Sequence, residues 1–180
     1  MAIDETSAAP APLGEELRAA LRLVPASVTV VTAGCGADAL GATATAVTPV
    51  SLAPPAFLAC LNRALRLNAA IRANGRFQIS YLGYGQEEIA RAFGSAADSA
   101  ERFGVGDWNL DAPGGAFLRS ALIGLSCRLE NALNCGAHSV FIGRVEKIRT
   151  GASAPLLYCD GEYRGLSEKS SSVDEERERP

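Results

Sequence analysis

Histidine is nearly absent: His138 is the only one in 180 residues. A histidine-rich metal site is therefore impossible. Ser-His-Asp chemistry has a single candidate base, and no GxSxG elbow accompanies it. Paired cysteines are missing too. The five cysteines, at 35, 60, 127, 135 and 159, form no CxxC, and the step from Cys127 to Cys135 is too wide for a zinc knuckle. They read as free, buried thiols in a reducing compartment. Nor is there a basic excess: 17 Lys and Arg stand against 20 Asp and Glu, giving a net charge of −3 and a pI near 5.3. That argues against nucleic acid as the main partner, which needs a clustered basic face. No apolar run approaches the ~20 residues that cross a bilayer. The opening MAIDETSAAPAP has acids where a signal peptide needs bases and an apolar segment. The expectation is a soluble, cytoplasmic protein with no metal, membrane or nucleic-acid partner.

What is present points to one globular domain. Hydrophobic residues make up 48% of the chain and charged residues 21%, and a chain this long hides roughly 70% of its unfolded surface. Residues 1–12 are Ala-, Pro- and acid-rich without period, and 167–180 are charged and serine-rich. Both are expected to be disordered, flanking a domain over 13–166. Leu17, Leu21 and Val24 recur at helical spacing until Pro25. Ser27 to Ala33 is β-branched and reads as a strand. A turn at 34–38 leads into a second strand over 40–50, the link being too short for anything but a hairpin. Further strands are expected at 56–61, 77–82, 125–130, 138–148 and 155–159, with helices at 67–74 and 86–103, the latter broken at Gly94. Short strands with turn punctuation and few helices predict a mainly β, small antiparallel barrel.

Several segments carry chemistry. Gly34-Cys-Gly36 with Gly41 imitates a dinucleotide fingerprint, but the third glycine is misplaced and a strand follows where a helix is required. In Gly41-Ala-Thr-Ala-Thr-Ala-Val-Thr-Pro-Val-Ser51, hydroxyls at 43, 45, 48 and 51 are spaced through small residues. On composition this is a Thr-rich surface strand; on chemistry it lets a flat ligand approach the backbone while hydroxyls and amides hold a phosphate. In Cys60-Leu-Asn-Arg-Ala-Leu-Arg66 a strand end meets a helix start, where Arg63 and Arg66 are either solvated or grip a phosphate, and Asn62 bonds a ring edge. His138 follows Gly136 and Ala137, which leave room for a ligand beside it; alone, a single histidine is more often structural than catalytic.

These pieces occur together and in order, and the ordered set resembles the short-chain flavin reductases, the reductase components of two-component flavin-dependent monooxygenases. The resemblance runs from about Val24 to Leu166. It rests on Val28–Ala33, Gly41-Ala-Thr-Ala with Val50-Ser-Leu-Ala-Pro-Pro55, Cys60-Leu-Asn-Arg63 and Gly75-Arg-Phe77. It continues through Arg102-Phe103, Gly136-Ala-His-Ser-Val-Phe-Ile-Gly-Arg-Val145, Pro155-Leu-Leu-Tyr158 and Tyr163. It implies an antiparallel split β-barrel of Greek-key type with peripheral helices, a homodimer that binds FMN or FAD near the subunit interface and uses NADH or NADPH. Thr43, Ala44, Thr45, Ala46, Val47 and Thr48 would run along the ring and ribityl chain. Ser51, Asn62, Arg63 and Arg66 would lie near the phosphate end, with Cys60 and Leu61 in the same stretch. Arg102 and Phe103 match a position near the flavin or the interface. His138 matches the histidine beside the nicotinamide, and Tyr163 a second position there. The chain departs from the pattern at Ala64, Leu67 and Asn68, where relatives carry serine, threonine and histidine, so FMN against FAD stays open. The implied activity is NAD(P)H:flavin oxidoreduction with release of reduced flavin to a separate oxygenase. The alternatives are a split-barrel module that holds FMN tightly as a sensor or electron carrier, and a flavoprotein oxidase of a small organic substrate.

Overall fold

The computed structural model describes residues 11–96 and 98–166. The expected disordered tail, 167–180, and most of the expected mobile start fall outside the described residues. Ala11 and Pro12 instead open the first helix, α1 (Ala11–Arg22). The chain continues through β1 (Ala26–Ser27), β2 (Thr29–Ala33), a 3-10 turn (Gly36–Asp38), β3 (Leu40–Ala44), β4 (Val47–Leu52), β5 (Pro55–Asn62), α2 (Arg66–Asn74) and β6 (Arg76–Tyr81). Then come α3 (Glu87–Gly94), α4 (Ser99–Phe103), β7 (Trp108–Asn109), β8 (Phe117–Leu118), β9 (Ile123–Cys135), β10 (His138–Thr150), β11 (Leu157–Cys159) and β12 (Glu162–Arg164).

Seven strands form one antiparallel sheet in the order β3-β2-β6-β9-β10-β5-β4. Its two edge strands, β3 and β4, are consecutive in the chain, separated only by Thr45 and Ala46. The sheet must therefore curl until its two ends approach each other, and the Cys60 amide, donating to the Ala46 carbonyl at 2.9 Å, carries the β4–β5 ladder up to the bend. Closure of this kind leaves no long free edge. A small sheet, β1-β11-β12, lies apart from it.

The barrel encloses one apolar cluster, including Val31, Phe77, Ile79, Leu125, Cys127 and Phe141, with Leu67 and Ile71 of α2 packed into it. A second cluster on the outer side joins Val28, Val30, Leu82, Leu118 and Leu156 to Ile89, Ala90 and Phe93 of α3. β2 lies between the two, so all five of its residues are buried. That explains its β-branched run where a one-sided strand would alternate. Its threonines are satisfied locally: the Thr29 hydroxyl donates to the Ala44 carbonyl at 2.6 Å, and the Thr32 hydroxyl donates to the Ala116 carbonyl. Gly143 is a packing requirement, because a Cβ there would sit 2.5 Å from the Phe77 ring and 2.9 Å from Cys127 Cβ.

The structure corrects several expectations. The strand expected over 40–50 is two strands with a bend, whereas the break expected at Gly94 within 86–103 is there, with α3 ending at Gly94 and α4 following. β9 runs thirteen residues rather than six, because register shifts against β10 at Ile142/Gly143 and Val145/Lys147 break the alternation that marks a strand. β12 was not anticipated. The cysteines are free but not uniformly buried: Cys35 and Cys135 are exposed, Cys60 and Cys159 half-buried, and only Cys127 is buried.

Burial, reinforced by Glu146, pushes the Cys127 thiol from 9.0 up to about 12. The unfolded chain loses this proton first as pH rises, so the stabilisation is complete below 9.0 and is lost progressively toward about 12. Urea denaturation between about pH 8 and pH 11 is expected to show falling stability, with a shallower fall in Cys127→Ala. Equal slopes in the two proteins would assign the alkaline loss elsewhere.

Candidate active site

Three neighbouring stretches meet on one flank of the barrel. The bend at Thr45–Ala46 pairs with Cys60 of β5, and β5 pairs with β10 so that His138 stands opposite Asn62 and Val140 opposite Cys60. Directly opposed residues share a face of the sheet, as do residues two apart. Cys60, Asn62, His138 and Val140 therefore point to the same side, with Cys135 opposite His138 on the next strand. Burial, and then the neighbouring Cys135, push the Cys60 thiol upward. His138 is exposed.

The end of β5 is built to start α2. The Asn62 side-chain oxygen accepts from the Ala64 amide at 2.9 Å, and its carbonyl accepts from the Asn68 side chain at 2.7 Å. The turn of β9–β10 is pinned to the same place: the Arg63 amide donates to the Ala137 carbonyl at 2.9 Å, and its guanidinium to the Gly136 carbonyl at 3.1 Å. No side chain caps α2; the Asn68 amide donates to the Leu65 carbonyl at 2.9 Å, which leaves the Arg66 and Leu67 amides of the first turn to a ligand.

Beside that helix start is a cavity of about 300 Å³ lined by Gly41, Ala64, Arg66, Leu67, Asp98 and Arg102, among others. Arg102 reaches it from α4. One Nη donates to the Gly41 carbonyl at 2.9 Å and the other to the Ser95 carbonyl at 2.6 Å. Its Nε is buried with no hydrogen-bond partner among the described residues. A buried cationic donor left unpaired is costly unless a ligand accepts from it. Two arginines and a helix N-terminus outweigh Asp98, which is occupied in capping α4 through the Glu101 amide at 2.9 Å. The arrangement suits a phosphate.

The sequence-derived candidates are distributed unevenly around this site. Thr45, Ala46 and Thr48 are exposed on the bend and β4, while Val47 and Ser51 are half-buried. The Thr43 hydroxyl is already used, donating to the Ala90 carbonyl of α3 at 2.7 Å, and the Ser51 hydroxyl accepts from the Ala53 amide at 3.2 Å. Ala44 and Leu61 are core residues. Arg66 and Arg102 share the phosphate-sized cavity. Phe103 does not: it packs edge-on against Phe93 at 5.0 Å and Trp108 at 5.3 Å. Tyr163 lies in the small sheet beneath Arg91 and beside Tyr158, its hydroxyl pKa raised mainly by burial. The structure does not place it with His138. Tyr158, not Tyr163, shares a groove of about 380 Å³ with Thr45, with Leu17 and Leu21 of α1 and with Val24 just past its end.

Gly41, Asp98 and Tyr158 were missed as site residues. Asp98-Ser-Ala-Glu101 carries an N-cap signal that sequence reasoning can find, whereas the Pro155-Leu-Leu-Tyr158 motif marks Tyr158 without showing that it faces Thr45.

The pattern of the flavin reductase like domain matches residues 21–167. The chain belongs to the flavin reductase-like family. It is 36% identical over 167 residues to FMN reductase (NADH) RutF 1 of Methylorubrum extorquens, spanning 92% of this chain and 83% of that one. It is 35% identical to the reductase component of the FADH(2)-dependent resorcinol hydroxylase of a Rhizobium species, over 86% of this chain and 88% of that protein. Among solved structures, the NADH:FAD oxidoreductase SgcE6 of Streptomyces globisporus, in complex with NAD and FAD fragments, superposes with a TM-score of 0.81. Its sequence is 29% identical, with 92% of this chain and 99% of that chain covered. The solved neighbour shares the fold, so the bend, the β5–α2 junction and the cavity lined by Arg102 lie on a flavin reductase-like fold.

Proposed function

We propose that this protein is an NADH:flavin oxidoreductase that reduces FMN or FAD and releases the product to a separate flavin-dependent oxygenase. The observation that carries the reading is a cavity lined by both Arg66 and Arg102 at the start of a helix that no side chain caps, with the exposed Thr45–Ala46 bend nearby. From Gly41 at the cavity to Thr45 at the bend is four strand residues, about 13 Å, a span comparable to the ring-to-phosphate reach of an extended flavin mononucleotide. The residues present thus fit the group. Arg102, Arg66 and the α2 amides would take the phosphate. The backbone from Thr45 to Thr48 would line the ring, with Cys60 and Asn62 beneath it. Thr43, through its bond to α3, shapes the strand rather than donating to the ligand.

The flavin and the nicotinamide supply the hydride chemistry, transfer from C4 of one ring to N5 of the other, without an acid–base pair on the protein. The protein's work is to stack the rings, exclude water and place donors where negative charge accumulates. His138, held opposite Asn62, is assigned to position the nicotinamide nucleotide, not to move a proton. His138→Ala is therefore expected to raise the KM for NADH several-fold with a smaller change in kcat. Steady-state kinetics check this, and a kcat loss of about a thousandfold at constant KM would contradict it.

We extend the proposal to a homodimer. The α1 side chains Leu17 and Leu21 are 57% and 59% exposed, and Leu52 of β4 is 86% exposed. Apolar side chains left uncovered along a helix call for a partner surface. In this reading the NADH that it consumes puts it in the cytoplasm. The test of the activity is NADH loss with excess free FMN or FAD. Sustained turnover is expected; one stoichiometric reduction that then stops would replace the reductase by a module holding its flavin.

A further inference from the structure

Charge is unevenly shared over this molecule. The chain carries a net −3, yet no Asp or Glu occurs from Ala39 to Gln86 or from Asn131 to Val145. Those two stretches include β3, β4, β5, α2 and the tip of the β9–β10 hairpin, the elements that meet at the site. They bring Arg63, Arg66 and Arg72 to the surface, all exposed. The other two arginines of these stretches, Arg76 and Arg144, are matched by Glu146 and Glu130.

Arg72 belongs to that face but does not line the cavity. One Nη donates to the Asn134 Oδ1 at 3.0 Å, and the guanidinium lies 5.2 Å from the centre of the Phe141 ring. Both partners are neutral, so they leave its charge uncancelled. Along α2 it stands six residues beyond Arg66, about 9 Å on the helix axis. That is well inside the screening length of about 30 Å at 0.01 M salt and well outside the 3 Å or so at 1 M. Among the described residues, the one carboxylate lining the cavity is Asp98, which caps α4. Like charges gathered on one face repel each other and weaken the folded state. What such a face gains is attraction for anions, since charge of one sign around a cleft raises association rates about 10- to 1,000-fold. A flavin phosphate carries about −1.5 to −2 at neutral pH, and the diphosphate of NADH is anionic too. Riboflavin carries no phosphate charge.

We propose that this arginine-rich face steers phosphate-bearing nucleotides into the site, and that Arg72 sets how fast they arrive rather than how long they stay. The inference rests on the flavin reductase reading above. Its test is stopped-flow mixing of the full chain with FMN or riboflavin, followed by flavin fluorescence, at about 0.01 M and about 1 M salt. FMN association is expected to slow at least about tenfold at the higher salt, and riboflavin association by less than about twofold. Arg72→Gln removes a positive charge from the face, and Ala73→Glu adds a negative one at an exposed position. With the fold checked by circular dichroism, both are expected to slow FMN association about two- to fivefold at low salt, with dissociation within about twofold. At about 1 M salt the difference from the parent is expected to vanish. Lys147→Gln removes the same charge nine positions beyond His138 on β10, about 30 Å along the strand, and is expected to leave the rate unchanged. FMN association no more salt-sensitive than that of riboflavin, unchanged rates in both α2 variants, or equal slowing by Lys147→Gln overturns the steering. If FMN is still reduced by NADH in that case, the reductase reading stands and only the steering falls. If FMN does not associate and no NADH is consumed, the reductase reading falls and the steering with it.

Discussion

Phe93→Ala is expected to destabilise the protein by about 3–5 kcal/mol, the range for truncating a buried aromatic. Phe93 is 2% exposed and touches two other rings, Phe103 at 5.0 Å edge-on and Trp108 at 4.9 Å. Such pairs contribute about 0.5–1.5 kcal/mol beyond the area they bury. The slot beneath the ring is matched to it, since a Cβ on Gly41 would lie 2.6 Å from the Phe93 ring. That floor is the β3 ladder, which is held by its pairing with β2 and does not collapse to fill the space. For a protein of this size the loss corresponds to roughly 6–20 °C in Tm. Thermal and urea unfolding measure it directly, and a cost below about 1 kcal/mol would mean that the three rings are not packed as described. Flavin affinity should fall as well, because the cluster seats α4, which carries Arg102.

Arg102→Ala is expected to raise the dissociation constants of FMN and FAD by about 10- to 100-fold, the equivalent of one or two charge-assisted hydrogen bonds. Riboflavin, which lacks the phosphate, is expected to bind nearly as before. Arg102→Lys should rescue little, because a single ammonium does not bridge the Gly41 and Ser95 carbonyls as the planar guanidinium does. Equal losses for riboflavin and FMN would instead make Arg102 a strut between α4 and β3.

The cavity mouth separates what is local from what is not. The resemblance marked Arg66 and Arg102 separately, and they lie 36 positions apart in the sequence. Their meeting depends on α4 reaching β3 through the Gly41 carbonyl, a contact with no periodic trace. Phe103 shows the converse. It adjoins Arg102 in the chain, but one step along a short helix turns it by about 100° and carries it into the aromatic cluster. Thr43 looked like a ligand-binding hydroxyl because spacing says nothing of its partner; α3, nearly fifty residues later, supplies the Ala90 carbonyl.

Strands β2 and β6 and the starts of β9 and β10 were legible because their signal is intrinsic: β-branched runs and alternation are properties of neighbouring residues. The full length of β9, the bend that makes β3 and β4 two strands, and β12 were not, since each depends on pairing with a distant segment. By itself the sequence determined the barrel class, the absence of a His-rich metal site or serine-triad elbow, and the order of the flavin-reductase motifs. Tertiary structure alone decided which of those residues meet and that Arg102 keeps an unpaired buried donor. The reason is physical: composition and period report local backbone preference, whereas a cavity is the space left between elements that are remote in the chain.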